Sequence, residues 1–298
     1  MSIHIDTALV KSYHSNITLL SQQKGSRLAS HVRRETQNSK EDFFDRIDAT
    51  AATKVTGRHQ DTPLISTPHD RRRVVLEDYD WADLIDKKDR IRMLADPTSP
   101  YTINAVNAMG RAKDQAIIDA AFATAYSGET GATSVTFPSS QDVAVSYTEG
   151  GAPATDSNLT IGKLRRAASI IKSNEAVEEG EPMIAVVAQS QIDSLLRTTE
   201  VTSSDYNTVK ALVRGDVDTF MGFKFVRTQL LAIDANNVRS CIFYAMSGLL
   251  LSTGLEVTVD VGPRRDKRNS VQVYVTMSIG STRMEEKKVV RVKCDEDV

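Results

Sequence analysis

Histidine is the residue that would most readily supply a general base, a triad member or a neutral metal ligand, and its placement here is unusual. All five histidines (His4, His14, His31, His59 and His69) fall within the first 69 positions of a 298-residue chain. That stretch reads as an arm and a projecting hairpin, so the parts that read as globular hold none. A His-based hydrolytic or metal site would have to be built from the least anchored part of the chain. The glycine-rich phosphate loops, the nucleophile elbow and the HExxH pattern are also missing. SGETGATS (127–134) has two glycines and several hydroxyls but neither a lysine nor a preceding buried strand, so it reads as a flexible loop.

The charged residues form the other candidate chemistry. Glu77, Asp78, Asp80, Asp83, Asp86 and Asp89 crowd one stretch, and such oxygens could hold a divalent ion. Lys87, Lys88, Arg90 and Arg92 interleave with them, which favours a solvated face or a subunit contact over a cation cage. Asp216 and Asp218 follow Gly215 and read as shaping a turn more than holding an ion; with Asp205 they define the one carboxylate-only catalytic alternative. Two basic groups stand apart: Arg71, Arg72 and Arg73, and then Arg264, Arg265, Lys267 and Arg268 after Gly262-Pro263. Charge pairing between subunits is the first reading for both, ahead of a solvated loop and of nucleic-acid contact. No aromatic residues interleave with them, so base stacking has no support. Glu77, Asp78 and Asp80 join these seven basic residues as contact candidates. No catalytic, cofactor-binding or metal-ligating residue is assigned.

Composition agrees with an interaction protein. The 37 basic and 39 acidic residues leave a net charge of -2, unlike a dedicated nucleic-acid binder. Cys241 and Cys294 form no CxxC pattern and read as reduced, packed thiols of a cytosol-made protein. No apolar run reaches membrane-spanning length, and the N-terminus lacks the signature of a secretory signal.

The elements that must position these charges follow from periodicity. Residues 1 to about 45 are too polar to bury a core alone and read as an arm, either mobile or docked, with a solvent-exposed amphipathic helix as the equal alternative. Turn residues Gly57, Pro63 and Pro68 between β-prone runs predict an extended hairpin over about 46–80. WADLIDKKDRIRML (81–94) has helical spacing. Ser99-Pro100 opens a long helix whose alanine-rich stripe (Ala105, Met109, Ala112, Ala116, Ala120, Ala123) runs toward Ser127-Gly128. Residues 128–158 read as linker with a strand-like QDVAVSY. From 159 to 262 helix and strand periods alternate: LTIGKLRRAASIIKSN, a buried PMIAVVA, SQIDSLLRT capped by Ser190, then GFKFVRT, RSCIFYAM and LEVTVDV. VQVYVTMSI and KKVVRVKC close the chain as strands expected to pack on the long helix.

In this order the parts resemble a tailed-bacteriophage major capsid protein of the Hong Kong 97-like fold. The resemblance is carried by DTPLISTPHDRRRVVLEDYDWADLIDKKDRIRMLADPTSPY (61–101), by AVNAMGRAKDQAIIDAAFATAYSG (105–128) and by YNTVKALVRGDVDTFMGF (206–223). It implies an α+β chain with an N-terminal arm (1–45) and an extended loop (46–80) that lies on a neighbouring subunit. The peripheral domain would comprise 81–158 and 263–298, with a spine helix at about 99–127, and the axial domain 159–262. It further implies no enzyme activity, self-assembly into pentamers and hexamers of an icosahedral head shell, and synthesis in the bacterial host cytoplasm. Scaffolding and portal proteins, and packaged double-stranded DNA held by weak non-specific contact, would be the partners. An encapsulin-like nanocompartment shell enclosing a cargo protein is the alternative.

Overall fold

Five consecutive apolar residues without a single polar interruption, Met183–Val187, can be satisfied only by a strand covered on both faces, and all five are buried. The computed structural model describes residues 20–58, 61–62, 64–86, 98–150, 154–178, 180–197 and 219–297. In chain order the elements are β1 (Arg33–Thr36), β2 (Glu41–Ile47), β3 (His69–Val75), β4 (Glu77–Ile85), α1 (Thr98–Phe122), β5 (Ala125–Ser127), β6 (Thr133–Val135) and β7 (Asp142–Val143). Then come α2 (Ile161–Ser173), β8 (Met183–Val187), α3 (Gln189–Arg197), β9 (Thr219–Phe220), β10 (Phe223–Arg227), β11 (Val238–Ala245), β12 (Leu249–Arg264), β13 (Ser270–Arg283) and β14 (Val289–Asp295). Two compact units result. One takes residues up to Ser26, Asp78–Ala112 and Leu255–Ser278; the other takes Arg27–Glu77, Lys113–Gly254 and Ile279 onward.

The larger unit is built on a six-stranded mixed sheet in the order β7-β14-β11-β8-β10-β9. β8 sits centrally, parallel to β10 and antiparallel to β11. Helix α2 starts where Thr160 accepts the Lys163 N–H, and it buries Leu164, Ala167 and Ile171 on one stripe. Phe223 and Phe243 meet edge to face at 5.1 Å in the same interior. A second sheet, β2-β3-β5-β6, carries the hairpin strands, with Val74, Leu250 and Met284 forming a small core beneath Phe44. The smaller unit contains the outer part of the β12–β13 hairpin and most of β4, together with the N-terminal half of α1.

Several expectations need correction. Residues 81–85 are strand, not helix: Tyr79 and Trp81 are half-buried while Asp78, Asp80 and Ala82 are exposed, a two-residue period that pairing with β13 enforces over the helical spacing. Residues 87–94 of that expected helix lie outside the described residues. The long helix ends at Phe122 because the Arg283 guanidinium donates to the Ala121 and Ala123 carbonyls at 2.9 Å each, which frees Ala125–Ser127 to pair as β5. β14 joins the six-stranded sheet beside β11, whereas residues 255–261 belong to β12, so these two stretches exchange the places expected of them. Of the expected strand QDVAVSY only Asp142–Val143 is strand. Ser190 lies inside α3 with its hydroxyl on Glu296; the Ala188 N–H is taken instead by Gln191 Oε1 at 3.1 Å.

The described part of the arm is also more anchored than its polarity suggests. Leu28 and Val32 are buried, the Asp114 carboxylate accepts the backbone N–H groups of Arg27 and Leu28, and β1 runs parallel to Leu250–Thr253 of β12.

Candidate inter-subunit surfaces

The β2–β3 ladder sets Phe43, Phe44, Asp45 and Arg46 opposite Arg73, Arg72, Arg71 and Asp70. Because side chains alternate, the three consecutive arginines cannot share one environment. Arg71 is exposed and pairs across the strand with Asp45 at 2.7 Å. Arg73 lies over the Tyr126 ring at 5.0 Å and within 3.8 Å of Glu41. Arg72 points the other way and its side chain is wholly buried, so it is no surface contact in this chain.

Arg72 instead belongs to a network that sequence reasoning missed. Its Nη2 donates to Glu286 Oε1 at 2.7 Å and to the Met284 carbonyl at 3.3 Å. Arg46 donates to the same carbonyl at 2.9 Å and also pairs with Asp70. Arg283, equally buried, has its Nε 3.6 Å from Glu286. Three guanidiniums thus converge on the 284–286 turn and tie the hairpin root to it. Burial lowers the Arg72 pKa, and Glu286 opposes that shift. Burial likewise works against an ionised Asp70, but Arg46 and the N–H groups of Arg71 and Gly128 outweigh it and hold its pKa below the usual value. No short-range pattern marks this network, since Arg72 and Glu286 are 214 positions apart.

Beyond this root the hairpin changes character. Described residues between Asp48 and Pro68 form no helix or strand, and Ile47, Val55, Leu64 and Ile65 expose their side chains, Leu64 to 96%. Each such side chain would gain roughly 1.5–3 kcal/mol from full burial. A firmly clamped base carrying an uncovered apolar end is the arrangement expected of an element that completes its packing on another molecule.

The second candidate surface lies in the smaller unit. Arg264 ends β12, Arg265–Lys267 form a single 3-10 turn, and Arg268 and Asn269 return the chain with φ of 54° and 55°. All four basic residues are exposed; Arg264 is held by Asp266 at 2.9 Å and by Gln272 at 3.4 Å. Along β4, Asp78 and Asp80 are exposed, and the Tyr274 hydroxyl donates to Asp80 at 2.8 Å. Hydrogen bonds from Thr276 and Tyr274 keep the Asp80 carboxyl below its usual pKa. Leu255, Val259 and Val261 form an exposed apolar row on β12. Glu77, also exposed, falls in the larger unit. The structure therefore leaves nine of the ten charged candidates at a surface or its margin and turns one inward.

Catalytic alternatives gain nothing from this geometry. Among the described residues no group of His, Cys, Asp and Glu side chains could hold a metal ion, and no helix is long and apolar enough to cross a membrane. Asp205, Asp216 and Asp218 lie outside the described residues, as do most of 206–223.

Comparison with known proteins agrees with the resemblance read from the sequence. The head structure of Helicobacter pylori bacteriophage KHP40 superposes with a TM-score of 0.76 at 9% identity, covering 99% of this chain and 98% of that one. The capsid of cyanophage P-SCSP1u gives 0.75 at 14% identity, covering 98% and 94%. A structure from Mycobacterium phage Che8 gives 0.69 at 14% identity, covering 95% and 97%. At such identities these likenesses establish the fold, a mixed helix-and-sheet subunit. No relative among curated protein sequences matches the chain. The family described as phage capsid protein, however, matches residues 5–296, and the chain belongs to that family.

Proposed function

We propose that this chain is the repeating subunit of a tailed-phage head, a structural protein that assembles with copies of itself into a closed shell around double-stranded DNA. The observation that carries the reading is the family match over nearly the whole chain. The hairpin supplies the physical means, because its root is fixed by buried ion pairs while Val55, Leu64 and Ile65 remain uncovered. Contacts that run from one subunit's projection to a different patch on the next are heterologous, and they close into rings and shells when the rotation permits. The exposed tip from Arg264 to Arg268 and the acidic residues Glu77, Asp78 and Asp80 supply charges that set the register of such contacts. Scaffolding and portal proteins are the expected assembly partners, the host cytoplasm the site of synthesis, and the phage head the destination. DNA contact would be weak and non-specific, in keeping with the net charge of -2. The nanocompartment alternative draws no support from the comparisons.

The test is negative-stain microscopy of the full chain expressed alone and with a scaffolding protein. Closed particles or capsomers are expected in at least one of the two preparations. Monomers throughout would defeat the reading, and particles that hold an enzyme cargo in place of scaffold or DNA would shift it to the nanocompartment class.

A further inference from the structure

The sheet ordered β1-β12-β13-β4 has two open sides, and they differ in charge. β1 pairs with β12 only at Leu250–Thr253, so among the described residues the stretch from Leu255 to Val261 has β13 as its one strand neighbour. Nothing in that stretch is buried, and Leu255, Val259 and Val261 expose their side chains along it. A long apolar edge of this kind is a template for another strand, and proteins commonly blunt it with lysine or proline. Neither occurs between Leu255 and Val261; Pro263 and the basic residues Arg264, Arg265, Lys267 and Arg268 stand beyond its end. On the far side of the sheet β4 is the border strand, beside β13. It is acidic: Asp78, Asp80 and Asp83 are exposed along it, as is Leu84.

Like edges exclude one another. β4 laid on β4 would crowd two sets of aspartates, and an antiparallel β12 pair centred on Thr258 would set Glu256 opposite Asp260. Unlike edges fit, because one is acidic and the other runs into a basic tip.

We propose that β4 of one copy adds as a strand to the outer edge of β12 in the next, with its aspartates placed toward the Arg264–Arg268 tip. The inference rests on the shell reading above and names one of its contacts. Backbone N–H and C=O groups of the two edges supply the pairing, and the row from Leu255 to Val261 gains a neighbour. The charges decide which edge meets which. Asp80 is already positioned within its own chain by the Tyr274 hydroxyl at 2.8 Å. Because each copy uses two different edges, the contact is heterologous and repeats from copy to copy, as a ring or shell requires.

The test uses two full-length charge-reversed chains. One carries Asp78→Lys with Asp83→Lys, the other Arg265→Glu with Lys267→Glu. Sedimentation and negative-stain microscopy follow assembly of each alone, of their equimolar mixture and of the parent. Either variant alone should need about tenfold more protein than the parent to assemble. The mixture should return to the parent's threshold, because each reversed edge then meets a reversed partner; that rescue also shows that both variants fold. Hydrogen exchange reads the backbone: in parent particles the faster amides of Leu255–Val261 and Asp78–Leu84 should slow by about tenfold or more relative to free subunits. Single variants that assemble at the parent's threshold would overturn the strand pairing and leave the shell reading intact. So would a mixture no better than its components, or edge amides equally fast in particles and free subunits. A parent that never assembles would defeat the shell reading itself, and this contact with it.

Discussion

Glu296 is the residue whose chemistry is easiest to test by pH. Its carboxylate accepts from Arg239 Nε at 2.6 Å and from Gln191 Nε2 at 2.9 Å, and Ser190 Oγ donates to it as well. The Arg239 bond is the main reason its pKa falls from 4.5 to about 2. A depressed folded-state value means stability that is complete above the unfolded-state value near 4.5 and lost as pH falls through about 2. Urea midpoints of the native chain and of Glu296→Gln should therefore differ most at pH 7 and converge toward pH 2. A constant gap across that range would show that Glu296 contributes by shape and not by charge. Arg72 makes the complementary case for a buried cation. Its removal in Arg72→Ala leaves a cavity and strips Glu286 of its shortest ion pair, so a loss of about 3–5 kcal/mol is expected in chemical denaturation. A loss below about 1 kcal/mol, the range of exposed pairs, would mean that Arg46 and Arg283 replace it without cost.

Helix α1 shows how one missing side chain places a whole segment. At Gly110 an added Cβ would lie 2.4 Å from the Gly25 carbonyl carbon and 2.7 Å from its Cα, backbone atoms with no freedom to turn aside. The same stretch is held by Asn107 Oδ1, which accepts the Gly25 N–H at 3.2 Å, and by Arg111 Nη1, which donates to Gln22 at 2.8 Å. Alanine would favour the helix by about 0.8–1 kcal/mol. Displacing the segment costs about 1–3 kcal/mol, so the contact decides the sign. Gly110→Ala should keep its helical circular dichroism yet be cut by trypsin at Lys24 about tenfold faster, and unchanged cleavage would refute the docking. Periodicity made α2, β8, β10 and β11 legible beforehand, because each has a one-sided or fully buried apolar pattern of its own. It could not assign residues 255–261 and 289–295 to their sheets, since an alternating strand carries no record of its partner. Of the hairpin expected over about 46–80 only the turn-rich middle and the strand His69–Val75 were legible, because its other strand, Glu41–Ile47, lies in a polar stretch that reads as arm. The clamp at its root was not, because it joins Arg46, Asp70 and Arg72 to Arg283 and Glu286 from the far end of the chain. Three consecutive arginines read as one patch, yet the two-residue period of β3 sends Arg72 inward.

For the molecule as a whole, the proposed assembly role of the hairpin end would make folding and assembly separable by experiment. The interior of the larger unit is closed by β8, β11, β14 and α2, none of which includes a residue of the hairpin end. The Asp48 N–H bonds to the Pro68 carbonyl at 3.2 Å, so the chain is already side by side at these positions and a two-residue Asn-Gly turn can join them. Replacing residues 49–67 with Asn-Gly removes Val55, Leu64 and Ile65, side chains that add nothing to the core. The shortened chain should melt within a few degrees of the parent and stay soluble, while sedimentation shows no particle or capsomer under conditions where the parent assembles. Leu64→Asp alone should weaken assembly in the same direction, since it sets a charge where a neighbour would bury an apolar group. Particles forming normally from the shortened chain would mean that the shell is held by the Arg264–Arg268 tip and the acidic β4 residues instead. In that event assembly should fall steeply with added salt, because exposed charges are screened within about 10 Å at 0.1 M ionic strength. Apolar burial of the hairpin end responds to salt in the opposite sense or not at all, so a salt series on the parent protein separates the two forces even before any residue is changed.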